Sequence, residues 1–196
     1  MNLTQLIKKR RSIHHYLDKD VHYKEILKII EAGSWAPSSG NIQNWDFTII
    51  KNPETKEKIT RACSNQLWML EAPVFIIICS DQTKIKSMFK KNADKFSLEN
   101  CAAAIQNMLL KASELKLGTC WVGAFNESLI KKILNIPEDI TISTIITLGY
   151  PNEKPLSKRH PIDELTYFES YQNKERDTSL LPLAKHISRI KKRISK

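Results

Sequence analysis

Residues 74–79 read VFIIIC, the longest apolar run in this chain of 196 residues, and Pro73 stands directly before it. A strand with one face in water alternates apolar and polar residues, whereas an unbroken run is typical of a strand covered on both faces. The run is also far too short to cross a bilayer. We therefore expect a buried strand with other elements packed against both of its faces.

The residues before this run predict helices and one further strand. Apolar residues at helical spacing indicate a short helix at residues 3–9 and a longer one at residues 23–35. WDFTIIK at residues 45–51 is rich in aromatic and β-branched residues, as strands are. Asn52 followed by Pro53 then predicts the start of a helix, with Asn52 as its N-cap.

The residues after the run continue the alternation of helices and strands. A broad apolar stripe predicts a helix at residues 97–115, which Gly118 is expected to end. Asn126 predicts the start of another helix that reaches about Leu134, and ISTIITLGYP at residues 142–151 predicts a third strand. The order indicates an α+β or α/β sandwich around a small sheet, without showing the direction of the strands.

Composition indicates one ordinary globular domain. The hydrophobic content of 41% is enough for a sizeable core, and the first residues show no apolar stretch ahead of a cleavage site, so we expect a cytoplasmic protein. The four cysteines form no C-x-x-C pair and have no histidine at zinc-ligand spacing, so we expect no metal site. We expect these cysteines to be reduced and buried: Cys63, Cys79, Cys101 and Cys120.

The net charge of +10 raises the question of a nucleic-acid partner. Residues 172–196 hold eight Lys or Arg against two acidic residues, so most of the excess lies in this one stretch. No recognised nucleic-acid module and no aromatic-interleaved basic patch accompanies it. We predict a main domain at residues 1–170 and a basic arm at residues 171–196, which packs on a partner subunit or on the domain surface.

Two polar stretches are candidates for a ligand site. KKRRSIHHY at residues 8–16 is either a solvated basic face or the site of a bound anion such as a phosphate. APSSGNIQNWDF at residues 36–47 is either a simple loop or a set of hydroxyls and amides suited to the rim of a heteroaromatic ring. The glycine motif of dinucleotide-binding folds is absent, as are hydrolase motifs. GTCWVG at residues 118–123 has the glycine spacing of a P-loop but lacks the Lys and Ser/Thr that would hold phosphate and magnesium.

Five segments together resemble the FMN-dependent nitroreductase family, in the same order and at similar spacing. The resemblance covers the chain from Leu3 to about Phe168. The segments are RRSIHHY at residues 10–16, AGSWAPSSGNIQNWDF at 32–47, LWMLEAPVFIIICSD at 67–81, LGTCWVG at 117–123 and LGYPNEKPLSKRHPIDE at 148–164.

The resemblance implies a nitroreductase-like α-β-α sandwich of the α+β class, with a small, mostly antiparallel sheet. It further implies a homodimer with FMN at the subunit interface. We also expect no membrane partner, because the longest apolar run is too short to cross a bilayer, and no nucleic-acid partner, because no recognised module is present. One subunit would hold the FMN phosphate and ribityl chain, and the loop at residues 37–43 of the other would approach the flavin ring. The implied cofactor-binding residues are Arg10, Arg11, Ser12, His14, Pro37, Ser38, Ser39, Asn41, Gln43, Asn65, Val122, Gly123, Ala124 and Arg159.

Three positions depart from the family pattern. His14 stands where relatives usually carry Arg or Lys, Trp68 where some carry Lys, and Asn44 where the usual residue is Pro. The first two departures remove fixed positive charge from the edge of the ring that becomes anionic on reduction. Either His14 supplies that charge only when protonated, which would make the flavin potential depend on pH, or it serves as a hydrogen-bonding group alone.

The function implied by the resemblance is that of an NAD(P)H-dependent FMN oxidoreductase. NADH or NADPH would reduce the flavin in a ping-pong cycle, and nitroaromatics, quinones or similar small acceptors would reoxidise it. Because the chemistry takes place on FMN, no catalytic side chain is expected. The alternatives are a flavin-binding protein with a storage or sensory role and, from another class, a basic nucleic-acid-binding protein.

Overall fold

The structure of the protein, a computed structural model, describes residues 2–175. The chain divides into a large compact unit that extends to Leu156 and a second unit that begins at Ser157. The predicted arm at residues 171–196 lies outside the described residues from residue 176 onward. None of the described helices is both long and apolar enough to cross a membrane.

The large unit is built on one four-stranded sheet. Its strands are β1 (Trp45–Ile50), β2 (Val74–Asp81), β3 (Gly118–Val122) and β4 (Ile140–Gly149). Their spatial order is β1-β2-β4-β3, and every neighbouring pair is antiparallel. The small antiparallel sheet implied by the resemblance is therefore present, with β2 and β4 at its centre.

Six α-helices and three short 3-10 turns surround this sheet in the described residues. The 3-10 turns are Ser39–Asn41, Leu67–Glu71 and Lys90–Asn92. The helices are α1 (Leu3–Lys9), α2 (Tyr23–Ser34), α3 (Pro53–Ala62), α4 (Gln82–Phe89), α5 (Ala93–Glu114) and α6 (Glu127–Leu134).

Strand β2 lies between two apolar layers, as its unbroken apolar sequence predicts. Ile76 and Ile78 pack in one core with residues of α2 and α5, while Phe75 and Ile77 pack in a second core with residues of α3 and α6. All four side chains are fully buried, and each stabilises the fold by roughly 1.5–3 kcal/mol. Successive side chains of β2 thus point to opposite faces of the sheet and pack against helices on each side, which gives the α-β-α sandwich.

The structure corrects the prediction made for Gly118. Helix α5 ends at Glu114, Lys116 takes the left-handed turn at φ 63°, and Gly118 opens strand β3, which the sequence analysis did not predict. The glycine is needed for a close approach, because a β-carbon there would lie 2.8 Å from Cγ1 of Ile13. Glycine at this position therefore reflects packing and not a helix end.

Other boundaries differ in detail. Helix α5 begins at Ala93, earlier than the predicted residue 97, and α4 was not predicted at all. The predicted N-caps are confirmed: the side chains of Asn52 and Asn126 accept hydrogen bonds from backbone N–H groups in the first turns of α3 and α6. The prediction that all four cysteines are buried is also confirmed.

Candidate functional site

Residues 10–16, here called the basic segment, run in extended form beside strand β3. The backbone N–H of Ile13 donates to the carbonyl of Thr119 at 3.0 Å, and Ser12 pairs with Thr119 in a single parallel bridge. The Ile13 side chain is buried against Gly118. Because side chains alternate in extended backbone, Ser12 and His14 share the side opposite Ile13.

The residues on that side meet at Cys120 of strand β3. Nε2 of His14 lies 3.5 Å from Sγ of Cys120, and Ser12 and Arg10 are close enough to influence the thiol. Burial raises the pKa of the Cys120 thiol to about 11, so the thiol is protonated and uncharged at neutral pH. The structure therefore brings Ser12 and His14 together beside a neutral sulfur atom, on which Arg10 acts only through its charge.

Two carboxylates hold the backbone of the basic segment in place. Glu153 accepts hydrogen bonds from the N–H groups of His14 and His15, and Glu71 accepts one from Tyr16 at 3.1 Å. The bond from the His14 N–H is the main reason why the pKa of Glu153 lies below its usual range. The segment is thus fixed by the sheet on one side and by carboxylates at its C-terminal end.

Two of the departures from the family pattern are in direct contact. The ring of His14 packs edge to face against Trp68, with the ring centroids 4.5 Å apart. On its other side, Nδ1 of His14 lies 3.8 Å from Oε1 of Glu153. The imidazole of His14 therefore has a carboxylate and an indole as neighbours.

A cleft of about 490 Å³ opens beside the N-terminal end of the basic segment. Its floor includes Ile13, Leu117 and Gly118, and one acidic residue, Glu153, is among the described residues that line it. Such an excess of positive charge suits an anionic group. The cations that line the cleft are Lys8, Lys9, Arg10, Arg11, Lys116 and Lys154.

Arg11 has a structural role in addition to lining this cleft. Its Nη1 donates to the carbonyls of Lys8 at 2.6 Å and Arg10 at 2.7 Å, at the C-terminal end of helix α1. Its Nε is buried and has no hydrogen-bond partner among the described residues. The remaining N–H groups of the guanidinium leave Arg11 able to donate to a ligand as well.

Residues 36–44, here called the polar loop, follow helix α2 and contain the short turn Ser39–Asn41. Gly40, Asn41 and Gln43 all have positive φ, at 59°, 55° and 49°. The Ser38 hydroxyl accepts from the backbone N–H of Gln43 at 3.1 Å, and Nε2 of Gln43 donates to Oδ1 of Asn41 at 3.1 Å. Pro37 is exposed at the start of the loop. The loop residues are thus brought together by their own contacts.

Two further predicted positions are linked through Gln66. Its Nε2 donates to the carbonyl of Ala124 at 3.4 Å, which ties the turn that contains Asn65 to the chain after β3. Asn65 has φ 57° and lines a second cleft, beside α3. Val122 is buried, and a β-carbon added at Gly123 would meet no atom within 4 Å, so the space over this backbone is open.

Arg159 belongs to the second unit. Within that unit its Nη1 donates to the hydroxyl of Ser157 and to the carbonyl of Lys158, each at 3.1 Å. The predicted role of Arg159 at the phosphate stays a prediction.

The sequence itself matches a known family over most of the large unit. The sequence model of the nitroreductase family matches residues 7–69 and 60–150, which hold the basic segment, the polar loop and the whole sheet. The chain belongs to the nitroreductase family. The resemblance noted from the five sequence segments is therefore confirmed.

Individual nitroreductase relatives cover most of the chain. A protein of Methanothermobacter thermautotrophicus, named as a candidate NADH dehydrogenase/NAD(P)H nitroreductase, is 35% identical over 79% of this chain and 80% of its own length. The FMN reductase [NAD(P)H] of Bacillus subtilis is 29% identical over 86% of this chain and 74% of its own length. A nitroreductase family crystal structure from Clostridium difficile 630 aligns with a TM-score of 0.77 at 27% identity, over 87% of this chain and 99% of that one. The predicted fold class is therefore confirmed.

Three residues that contact the candidate site, Cys120, Glu153 and Asn100, were not predicted from the sequence. Cys120 was interpreted as a buried apolar residue, because β3 was not predicted and its alternation was not used. Glu153 lies in one of the quoted segments but carries no pattern that marks it as a backbone acceptor. Asn100 lies on helix α5 among apolar residues, where a buried asparagine was the only available signal.

Proposed function

We propose that this nitroreductase-family protein is an FMN-dependent enzyme that carries electrons from NADH or NADPH to small organic acceptors such as nitroaromatics or quinones. Membership of the family, together with relatives named for NAD(P)H and FMN reductase activity, makes the chain an NAD(P)H-dependent flavin oxidoreductase. Two observations support the site: Ser12 and His14 lie beside Cys120, and Arg10 and Arg11 line the neighbouring cationic cleft.

The residues at the N-terminal end of the basic segment fit a phosphate. Arginine guanidinium groups bind phosphate oxygens with two parallel hydrogen bonds, and a serine hydroxyl adds a short third bond. Arg10 and Arg11 both line the cleft, and the buried Nε of Arg11 lacks a partner among the described residues. In the proposal Arg10 and Arg11 hold the FMN phosphate from the cleft, and Ser12 and Arg159 keep the phosphate-binding roles that the family resemblance implies.

The remaining predicted residues fit a heteroaromatic ring. The polar loop offers Ser38, Ser39, Asn41 and Gln43, whose hydroxyls and amides match ring carbonyls and N–H groups. We propose that this loop acts on the flavin of a second subunit, which makes the homodimer the functional unit. Asn65 and the open backbone at residues 122–124 would face the ring within the same subunit.

FMN, when bound, supplies the hydride chemistry, and we propose a ping-pong cycle in which the reductant leaves before the acceptor enters. The side chains of this chain then contribute binding, orientation and electrostatics. Because the pKa of Cys120 is raised to about 11, its thiol adds no negative charge beside the site at neutral pH. His14 is the side chain at this position that can add a positive charge, and it does so only when protonated.

Purification and titration with reductant test the proposal directly. We expect a yellow protein with the absorption bands of oxidised flavin, or a colourless one that turns yellow on addition of FMN. Under anaerobic conditions NADH or NADPH should bleach the bands, and a nitroaromatic or a quinone should restore them. Colour without bleaching would favour a storage or sensory role. A protein that does not bind FMN at all would refute the proposal.

A further inference from the structure

A connected group of buried polar side chains lies behind the polar loop. These side chains come from the start of β1, the end of β2 and helices α4 and α5, and each is at most 8% exposed. Polar groups removed from water in this way are costly unless they are hydrogen-bonded to each other. The group, here called the amide cluster, consists of Asn44, Ser80, Gln82, Ser97 and Asn100.

Asn100 connects this cluster to the polar loop. Its Oδ1 accepts two hydrogen bonds from Ser39, one from the backbone N–H at 2.9 Å and one from the hydroxyl at 3.2 Å. Its Nδ2 donates to Oδ1 of Asn44 at 2.8 Å. A single side chain on helix α5 thus holds the middle of the loop and, through Asn44, the end of the loop at which β1 begins.

Asn44 continues the chain of hydrogen bonds into the sheet. Its Nδ2 donates to the hydroxyl of Ser80 at 2.6 Å, and this hydroxyl lies 2.5 Å from that of Ser97. Nε2 of Gln82 donates to Ser97 at 2.9 Å. The backbone carbonyl of Asn44 also accepts from the N–H of Asp81 at 2.8 Å. Asn44 is therefore fixed to β2 through both its side chain and its backbone.

The polar loop needs such support because its backbone is strained. Asn41 and Gln43 occupy the left-handed region, which non-glycine residues adopt at a cost. Such conformations persist only where the surroundings determine them, and the contacts within the loop leave its position relative to the core undetermined. In the described residues, the two hydrogen bonds that Ser39 donates to Asn100 connect the middle of the loop to the core, and the hydrogen bonds of Asn44 connect its end.

We propose that Asn100 and Asn44 are positioning residues that fix the polar loop in the conformation in which it meets the flavin, an inference that rests on the proposed function. Neither side chain would contact the cofactor. A proline at position 44, which the family pattern has, offers no side-chain acceptor for Nδ2 of Asn100. The pair therefore makes the loop geometry of this chain depend on a side-chain contact that such relatives lack.

The test is a double-mutant cycle with Asn100→Ala, Asn44→Ala and the double variant. FMN titration of the apoprotein should give a Kd raised by about tenfold or more in each single variant, because a buried hydrogen-bonded group loses its partner. The double variant should lose less affinity than the two single losses combined, since the two residues share the contact between Nδ2 of Asn100 and Oδ1 of Asn44. Equal Kd values in all folded variants would overturn the inference.

Asn107→Ala is the matched control on the same helix. Nδ2 of Asn107 donates to the carbonyl of Ala32 at 3.2 Å and does not belong to the amide cluster. We expect its FMN Kd to stay within about twofold of the native value. A purely structural role for Asn100 would lower thermal stability in both variants and leave the Kd of both unchanged, which would also refute the inference.

Amide hydrogen exchange gives a readout that does not depend on FMN. In the native apoprotein the Ser39 N–H should be protected, and Asn100→Ala should reduce that protection by about tenfold or more.

Asn100→Asp serves where the alanine variant fails to fold, because a carboxylate still accepts both bonds from Ser39 but cannot donate to Asn44. It should keep the protection of Ser39 and still weaken FMN binding. Unchanged exchange in Asn100→Ala would contradict the inference, whereas a native protein that binds no FMN would refute the proposed function itself.

Discussion

The basic segment and the polar loop are both proposed to contact the same cofactor, yet the protein holds them by opposite means. The basic segment lies along the edge of the sheet, where a bridge to Thr119 and the carboxylates of Glu71 and Glu153 fix its backbone. The polar loop is fixed from beneath by Asn100, a neutral amide buried on α5. One region depends on charge at the surface and the other on uncharged hydrogen bonds in the interior.

This difference indicates how each region should respond to salt concentration and to pH. Interactions between exposed charges are screened by salt and change with pH, whereas a buried network of amides and hydroxyls is affected little by either. Salt and acid should therefore weaken the phosphate end of the site before they alter the ring end. Variants in the basic segment test this contrast, and the amide cluster provides the comparison.

The largest effect is expected from Arg10→Gln. Loss of a charge-assisted bond to the phosphate should raise the Kd for FMN roughly 10- to 100-fold. The increase should shrink at high salt, because salt already weakens the native interaction. Fluorescence titration at low and high ionic strength measures both effects. Lys58→Gln, an exposed residue on α3 with the same change in charge, is the control. Equal losses in both variants would show that only net charge matters.

Gly118→Ala should show how much the backbone position of the basic segment contributes to stability, because the change leaves every charge of the segment in place. A β-carbon at this position would lie 2.8 Å from the buried Ile13 side chain, so the segment must shift away from β3. We expect a loss of roughly 1–3 kcal/mol in the free energy of unfolding, measured by urea denaturation of the apoprotein. Gly123→Ala, where an added β-carbon meets no atom within 4 Å, should change it by less than about 0.5 kcal/mol. Similar losses in the two variants would contradict the role given to Gly118.

A smaller effect, specific to acid, is expected from Glu153→Gln. Because the pKa of Glu153 is lowered in the folded protein, its contribution to stability is complete above the ordinary carboxyl pKa and is lost as the pH falls through the lowered value. The glutamine oxygen still accepts from His14 but does not titrate. The variant should be less stable than the native protein at neutral pH and should lack this acid-dependent loss. Urea denaturation from neutral to acidic pH measures the difference, and parallel curves for the two proteins would refute the prediction.

The smallest effect is expected from His14→Arg, which replaces an imidazole with a guanidinium that is always charged. If His14 supplies positive charge only when protonated, the native flavin potential should fall more steeply with rising pH than that of the variant. The groups that face this ring are the Glu153 carboxylate, the Cys120 thiol and the Trp68 indole. Redox titration between about pH 6 and 8 covers the range in which histidines usually titrate. Identical slopes would leave His14 with hydrogen bonding alone.

The sequence was most informative where one local pattern determines one element. The apolar run of β2 required cover on both faces, and Asn52 followed by Pro53 marked the start of α3. Strand β3 escaped prediction because its side chains face different surroundings, with Trp121 exposed between the buried Cys120 and Val122. Gly118 was misinterpreted because its partner, Ile13, is remote in sequence.

The candidate site shows the same limit. Arg10, Ser12 and His14 could be named from the sequence, since a run of cations before a serine is visible locally and fits the family pattern. Cys120, Glu153 and Asn100 could not be named, because each acts through contacts that only the folded chain creates. Asn44 was noted as a departure from the family pattern, but its partner on α5 was not evident.

The bridge between Ser12 and Thr119 has a consequence beyond ligand binding. Strand β3 is the last strand of the sheet, and an uncovered edge strand is a template for pairing with another chain. The basic segment covers part of this edge with a bonded backbone and a row of positive side chains, both of which discourage such pairing. A variant that releases the segment should therefore be prone to aggregation as well as weak in cofactor binding, and its solubility would fall even where its cofactor is supplied in excess.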